Sequence, residues 1–500
     1  MSSAQRYAIG WLLAIVAAAC SLPNQSTLVI EGAVSDERQP LAEASVGWQG
    51  RCERVSTDAQ GRFRLARAFQ SLRLTASKPG YRIASAPGHS FSLKLEHLPT
   101  NDHDAYVWID PHPDPAQANN CANCHGVIYR EWQQSAHAKS ATNPKFLSLY
   151  AGTDGQGPVQ KTWNARAERP DGAAVCATCH VPTLRSPTLD YDIREATGVA
   201  KSGIHCDYCH KIADAPTDKL GIRFGRDGLH LLRPANGDLL SFGPLDDAVR
   251  KGESFGHSPL YKESRYCASC HEGIVFGVHV YGTYSEWLES PAKQQGKQCQ
   301  DCHMAPTGKM TNIAPGKGGI ERDPKTLASH HTPGGSLDML RQSLKLNVRA
   351  SGVPGGRQVE VDLVAQRVGH RVPTGFVDRQ LILLVEAFDE KGRRVELLDG
   401  PKLPASAGKG KDSPGMLYAK QLFGENGRSP VPFWLHVTKI EDTRLFPEQA
   451  DRRTFLFSSA VRRVTVQLWY RRFWHEVAHL RGWNDNDMLI VEQSFSLGDH

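Results

Sequence analysis

Five copies of one pentapeptide constrain this 500-residue chain more than any other feature. They are Cys121-Ala-Asn-Cys124-His125, Cys176-Ala-Thr-Cys179-His180, Cys206-Asp-Tyr-Cys209-His210, Cys267-Ala-Ser-Cys270-His271 and Cys299-Gln-Asp-Cys302-His303, and they hold ten of the twelve Cys. Zinc would pair Cys-x-x-Cys units into even sets, and a disulfide framework would not need a His after each. The steps from first Cys to first Cys are 55, 30, 61 and 32 residues, an alternation that groups motif two with three and motif four with five.

Cys-x-x-Cys-His is the attachment signal for c-type haem. Residues three and four apart share a face of a helical turn. The two sulfurs can therefore reach the two vinyl groups of one porphyrin, with the His under the iron as proximal ligand. The expectation is five covalently attached haem c, tethered by those ten Cys, with His125, His180, His210, His271 and His303 proximal. The motifs occupy 183 residues, about 37 per haem. The porphyrins must then supply much of the interior, and the region is expected not to fold without them.

Second axial ligands must come from the other sixteen of the 21 His. His137 lies twelve residues after His125 in a stretch read as helix. Twelve helical residues span about 18 Å, so it would serve a neighbouring haem. His205 abuts Cys206 and could likewise serve only a neighbour. His137, His257, His330 and His370 lead as distal ligands. His205, His230 and His279 compete for the fifth place, and His331 is an alternative to His330. His89, His97, His103, His112, His436 and His500 read as non-metallic. If His370 ligates, the C-terminal region is fastened to the haem core.

The pattern divides the chain into 1–20, 21–110, 111–340 and 341–500. Tyr7–Ala19 is an apolar stretch behind Arg6, which reads as a secretory signal and is too short to span a membrane. Haem c is attached outside the cytoplasm, so export is required independently. Ala18-Ala19-Cys20 resembles the lipobox of bacterial lipoproteins, which implies a lipid anchor through Cys20 and, with Ser21 following, an outer-membrane lipoprotein at the periplasmic or cell surface. Cys52 is then left as a buried thiol. Short alternating strands are expected at Ser26–Val34, Ala44–Trp48, Arg62–Leu65, Leu72–Ser77 and Phe91–Leu95. The strings Thr57-Asp58-Ala-Gln-Gly61-Arg-Phe63 and Lys78-Pro-Gly80-Tyr81 resemble carboxypeptidase regulatory-like domains, which implies a prealbumin-like β-sandwich. From 341 the alternation returns, clearest at Val464–Tyr470, and a second, antiparallel β-sandwich is expected. The fold class is thus multidomain: two sandwiches flanking a loop-rich, mainly α multihaem core. Within that core, Tyr129-Arg-Glu131-Trp132-Gln-Gln-Ser135 and Tyr284-Ser-Glu286-Trp287-Leu-Glu-Ser290 are near-repeats whose Tyr and Trp share a helix face.

Trp132-Gln-Gln-Ser135-Ala-His137, Gly203-Ile-His205, Gly256-His257-Ser-Pro and Gln300-Asp-Cys302-His303-Met304 resemble the multihaem cytochromes c, the family of c-552/4-type domains that includes the tetrahaem cytochromes of nitrifiers. Ser329-His330-His331 and Gly369-His370-Arg-Val-Pro373 resemble segments of its larger members. The resemblance covers about 116–385. It implies electron transfer between redox partner proteins, other cytochromes or quinol-oxidising complexes, through mostly bis-His haems. The alternative is a reductase or oxidase of a small nitrogen or sulfur compound at one five-coordinate haem. The Cys-x-x-Cys-Lys haem of pentahaem nitrite reductases does not occur here.

His475-Glu476-Val-Ala-His479 fits the zinc-protease pattern His-Glu-x-x-His, yet it stands close to the chain end with no downstream wall. It reads instead as an amphipathic helix closing the sandwich, with Trp474 and Leu480 buried. The formal charge of +6 argues against nucleic acid as a partner. Five oxidised haems add roughly −5 through their propionates, which brings the holoprotein close to neutral.

Overall fold

The structure is a computed structural model that describes residues 28–67, 72–184 and 192–497. The signal segment 1–20, Cys20 and His500 lie outside the described residues. The chain divides into two compact units, one ending at His97 and one beginning at Leu98. The division falls before 110. Residues 98–110 belong to the second unit, where Tyr106 Oη and the Ile109 N–H donate to Asp207 at 3.0 and 2.9 Å.

In the first unit Arg62–Ala66, Val29–Ser35 and Ser92–Lys94 form one sheet in that order, and Arg54–Ser56, Ser45–Trp48, Leu74–Ser77 and Ala84–Ala86 form another. One apolar core joins them. Val34, Val46, Phe63, Leu65, Leu74 and Leu93 are all at most 3% exposed within it. The turn before Phe63 follows from its residues: Asp58 accepts the N–H groups of Gln60 and Arg62 at 2.9 and 2.8 Å, and Gly61 takes φ +71, which a Cβ would disfavour. Cys52 departs from expectation. It is exposed rather than buried.

The second unit ends in two larger sheets. Leu344–Val353, Gly356–Ala365, Ala450–Phe457 and Leu397–Asp399 form one in that order; Lys439–Asp442, Gly415–Phe423, Gln380–Phe388, Arg463–Arg471 and Asp487–Ser496 form the other. All their strand pairs are antiparallel. Side chains alternate across a strand, and here Val359, Val361 and Leu363 meet Leu381, Leu383, Val385, Val464, Val466 and Leu468, each 0% exposed. The helix His475–Arg481 follows. Trp474 is buried at 1%, but Leu480 is 38% exposed rather than buried. The Trp163 indole N–H donates to Glu476 at 2.9 Å. The expected base of a zinc protease is thus committed to a structural bond, and among the described residues no metal-holding group of three or more His, Cys, Asp or Glu occurs.

Residues between these sheets and Leu98 are built differently. Helices are short, and the described strands pair only two by two, as in Glu272–Val275 with Val278–Gly282. No described helix is long and apolar enough to cross a membrane.

Candidate functional site

Each motif folds as a helical turn. Motif one is a 3-10 turn, Cys121–Asn123, leading into the helix Gly126–Gln134; motif two ends the helix Ala177–His180; motif three is the helix Cys206–Cys209; motif four closes Arg265–His271 and motif five is Cys299–His303. The N–H groups of His125 and His210 donate to the Cys121 and Cys206 carbonyls at 2.9 and 3.0 Å, so Cys and His lie on one face of the turn. None of the ten motif Cys is in a disulfide, which removes the disulfide reading.

The motifs touch through their thiols. Cys121 contacts Cys206, Cys179 contacts Cys270, and Cys267 contacts Cys299. The spacing pairs four with five, as the structure does. It also pairs two with three, whereas the structure brings two to four and one to three.

The proximal imidazoles are held alike. Nδ1 of His125, His180, His210 and His303 faces the carbonyl oxygens of Ile313, Ser140, Phe242 and Pro333 at 2.9, 3.0, 2.6 and 2.6 Å. A carbonyl only accepts, so the ring proton sits on Nδ1 and Nε2 is left with its lone pair outward. This is the arrangement of a metal-bound His. His370 shares it, with Nδ1 donating to the Arg371 carbonyl at 3.0 Å.

Two rings from outside the motifs face proximal rings. His137 lies 6.3 Å, centroid to centroid, from His271, with planes 70° apart; His370 lies 6.2 Å from His303, with planes 22° apart. Two metal–nitrogen bonds of about 2.0–2.1 Å plus two half-rings put the centroids of a bis-imidazole pair roughly 6 Å apart. The residues present therefore fit an iron between the rings at motifs four and five. The helix expected to carry His137 ends at Gln134, and Ser135 is extended. His137 reaches its neighbour through a loop rather than along a helix.

Burial acts on these rings in one direction. Desolvation lowers His137, His180, His210 and His370 below the usual histidine range, His271 to about 3, and His205 and His330 to about 4. All stay neutral at pH 7, the form that binds iron. His205 is 0% exposed, its Nδ1 accepts the Tyr208 N–H at 3.3 Å, and its Nε2 has no partner. His330 interacts electrostatically with the imidazoles of His210 and His125. His257 ends the strand Ser254–His257, one position beyond the Phe242–Gly256 pair. His230 and His279 are not brought to a motif: His230 is exposed beside Asp214, and Nε2 of His279 is paired with buried Glu272. His331 is exposed.

Motifs two and three set a non-histidine ring against the proximal one; at motif three Tyr261 lies 5.7 Å from His210 with planes 19° apart. The ring against His180 is Phe146, stacked at 3.7 Å and 4°.

Residues 120–211 match the family described as cytochrome c554 and c-prime. This stretch is similar to a cytochrome c554 domain. The fold of the chain is similar to the crystal structure of a penta-heme cytochrome c552 from Thermochromatium tepidum, with a TM-score of 0.55 and 22% identity over 75% of this chain and 97% of that one. No curated protein matches.

Proposed function

We propose that the chain is an exported pentahaem cytochrome c that passes electrons through closely set, mostly bis-His haems. The two imidazole pairs at 6.3 and 6.2 Å carry this reading. His271 with His137, and His303 with His370, hold the irons of motifs four and five; His125 and His210 hold those of motifs one and three, with second ligands drawn from His205, His257 and His330. When bound, haem supplies an iron that gains and loses one electron without bond making. The chain does the rest. Ten Cys fix the porphyrins, carbonyl-held Nδ1 atoms fix ring orientation, and burial excludes water and keeps the imidazoles neutral. Cys302 is exposed, so motif five offers an edge to a partner protein, another cytochrome or a quinol-oxidising complex.

The first unit belongs, in this reading, to the prealbumin-like carboxypeptidase regulatory-like domains and acts as a spacer. Residues 1–20 direct export, and Cys20 carries a lipid that holds the protein at the outer membrane. The intact mass and a pyridine haemochrome assay test the assignment. Five haems per chain are expected, with two low-spin paramagnetic resonance signals of different shape from motifs four and five, because their ring planes differ by 70° and 22°. A haem count other than five, or high-spin iron throughout, overturns it.

Phe146 over His180 favours one further reading: a haem at motif two with no second imidazole, open to a small nitrogen or sulfur compound. A high-spin signal that changes on adding nitrite or hydroxylamine is then expected.

A further inference from the structure

The near-repeat at 129–135 and 284–290 has the same contacts at both places. Trp132 donates its indole N–H to the Ile204 carbonyl at 2.8 Å, and Trp287 donates to the Lys297 carbonyl at 2.9 Å. Each accepting carbonyl lies two residues before the first Cys of a motif, Cys206 in one case and Cys299 in the other. The motif preceding each repeat touches the motif that its Trp pins, first Cys to first Cys: Cys121 with Cys206, Cys267 with Cys299. The Ser135 and Ser290 N–H groups both donate to the Trp carbonyl three residues back, at 2.8 and 3.0 Å.

The glutamates complete the parallel. Glu131 is 8% exposed and Glu286 is 6% exposed, and an ionised carboxylate at such depth is costly unless it is hydrogen-bonded. Glu131 accepts the His330 backbone N–H at 2.7 Å and the Ser329 hydroxyl at 3.3 Å. Glu286 accepts the Thr374 hydroxyl at 2.6 Å and an Arg444 N–H at 2.6 Å, and Arg444 also donates to the Pro373 carbonyl at 3.3 Å. Both carboxylates therefore hold a loop that carries a distant His: 329–330 in one case, 370–374 in the other. In the second copy that His faces the proximal ring of the pinned motif, His303. In the first, the ring of His330 lies close enough to interact electrostatically with His210, the proximal ring of the pinned motif three.

We infer that the two segments are copies of one two-motif clasp, in which Glu131 positions His330 as a second axial ligand as Glu286 positions His370. This rests on the haem reading above. Both glutamates are positioning residues. They touch the loops rather than the irons.

The test uses the full-length holoprotein and low-spin paramagnetic resonance, with haem content as a control. Glu131→Ala is expected to remove or shift one haem's share of the low-spin signal with haem content unchanged, and Glu131→Gln, which keeps an acceptor oxygen, to restore it. His330→Ala is expected to remove the same signal, and the double variant Glu131→Ala, His330→Ala to look like His330→Ala alone. Glu286→Ala is expected to act on a different signal, the one lost in His370→Ala. An unchanged spectrum in Glu131→Ala, or effects of Glu131→Ala and His330→Ala that add, overturns the proposal. If Glu131→Ala does not accumulate, Glu131→Leu, which keeps the bulk but no acceptor, decides: an altered ligand signal identical to that of His330→Ala supports positioning, and a native spectrum with only a lowered Tm refutes it. A wild-type haem count other than five fails the haem reading instead, and the spectra of the variants keep the two failures apart.

Discussion

The C-terminal sheets and the motif region are similar in length and opposite in construction. The sheets close on themselves: nine Val and Leu side chains from facing strands meet at 0% exposure. The clusters that the motif region makes alone are small, five buried residues around Tyr208 and Leu260, and three around Trp287. Its larger cluster, with Tyr150, Trp163 and Val181, is completed by Phe433, Trp434 and Trp474 from the sheet region. A chain that folds on its own side chains can alternate apolar and polar residues and be done. A chain that folds around a cofactor devotes its buried positions to Cys and His, and its core is incomplete without the guest.

The comparison breaks most visibly if haem attachment is prevented. In chain made without the attachment machinery, protease is expected to cut freely between 121 and 303, while the unit up to His97 stays resistant; resistance across the motifs would show that the region has a core of its own. A core truncation in the sheets sharpens the other side. Phe455 is 0% exposed, and Phe455→Ala is expected to cost about 3–5 kcal/mol in thermal or denaturant unfolding, while the visible spectrum of the folded protein is retained.

The smallest effect concerns Asp378, 1% exposed near the join, with Oδ2 unpartnered. Burial pushes its carboxyl up to about 8, with Glu476 adding to the rise. An acid whose folded pKa exceeds its unfolded value stays protonated in the fold while the unfolded chain ionises. Its contribution is harmless below about 3.8 and increasingly unfavourable as pH rises towards 8. Asp378→Asn is therefore expected to stabilise the protein at pH 7 to 8 and to have little effect near pH 4, as read by unfolding midpoints across that range. The same gain at both ends would place its cause outside the titration.

How much could be read from the residues follows the same division. Val464–Tyr470 was legible because one face is buried and the other is not, which writes period two into the sequence. Gly415–Phe423 escaped because its interior is buried on both faces, including Lys420 at 8%, and Lys439–Asp442 because it is exposed throughout. The five Cys-x-x-Cys-His turns were legible because their pattern is local. Second imidazoles arrive from far along the chain, so spacing could only nominate them. His279 shows the limit: it has the right residue type near motif four, yet the hairpin that carries it presents Glu272 across the turn and takes its Nε2. The Tyr-x-Glu-Trp-x-x-Ser repeat was readable as a helix face, but what its Glu holds was not.

The loop 369–375 has a consequence in time. A chain is made, and threaded through a membrane, from its N-terminus onward, so all five attachment motifs emerge before His370 and the strands behind it. On the proposed reading, haem would reach motif five while its surface was still open. The loop gripped by Glu286 and Arg444 then closes it as one of the last acts of folding. A chain cut short before this loop would carry every tether and still lack its final seal.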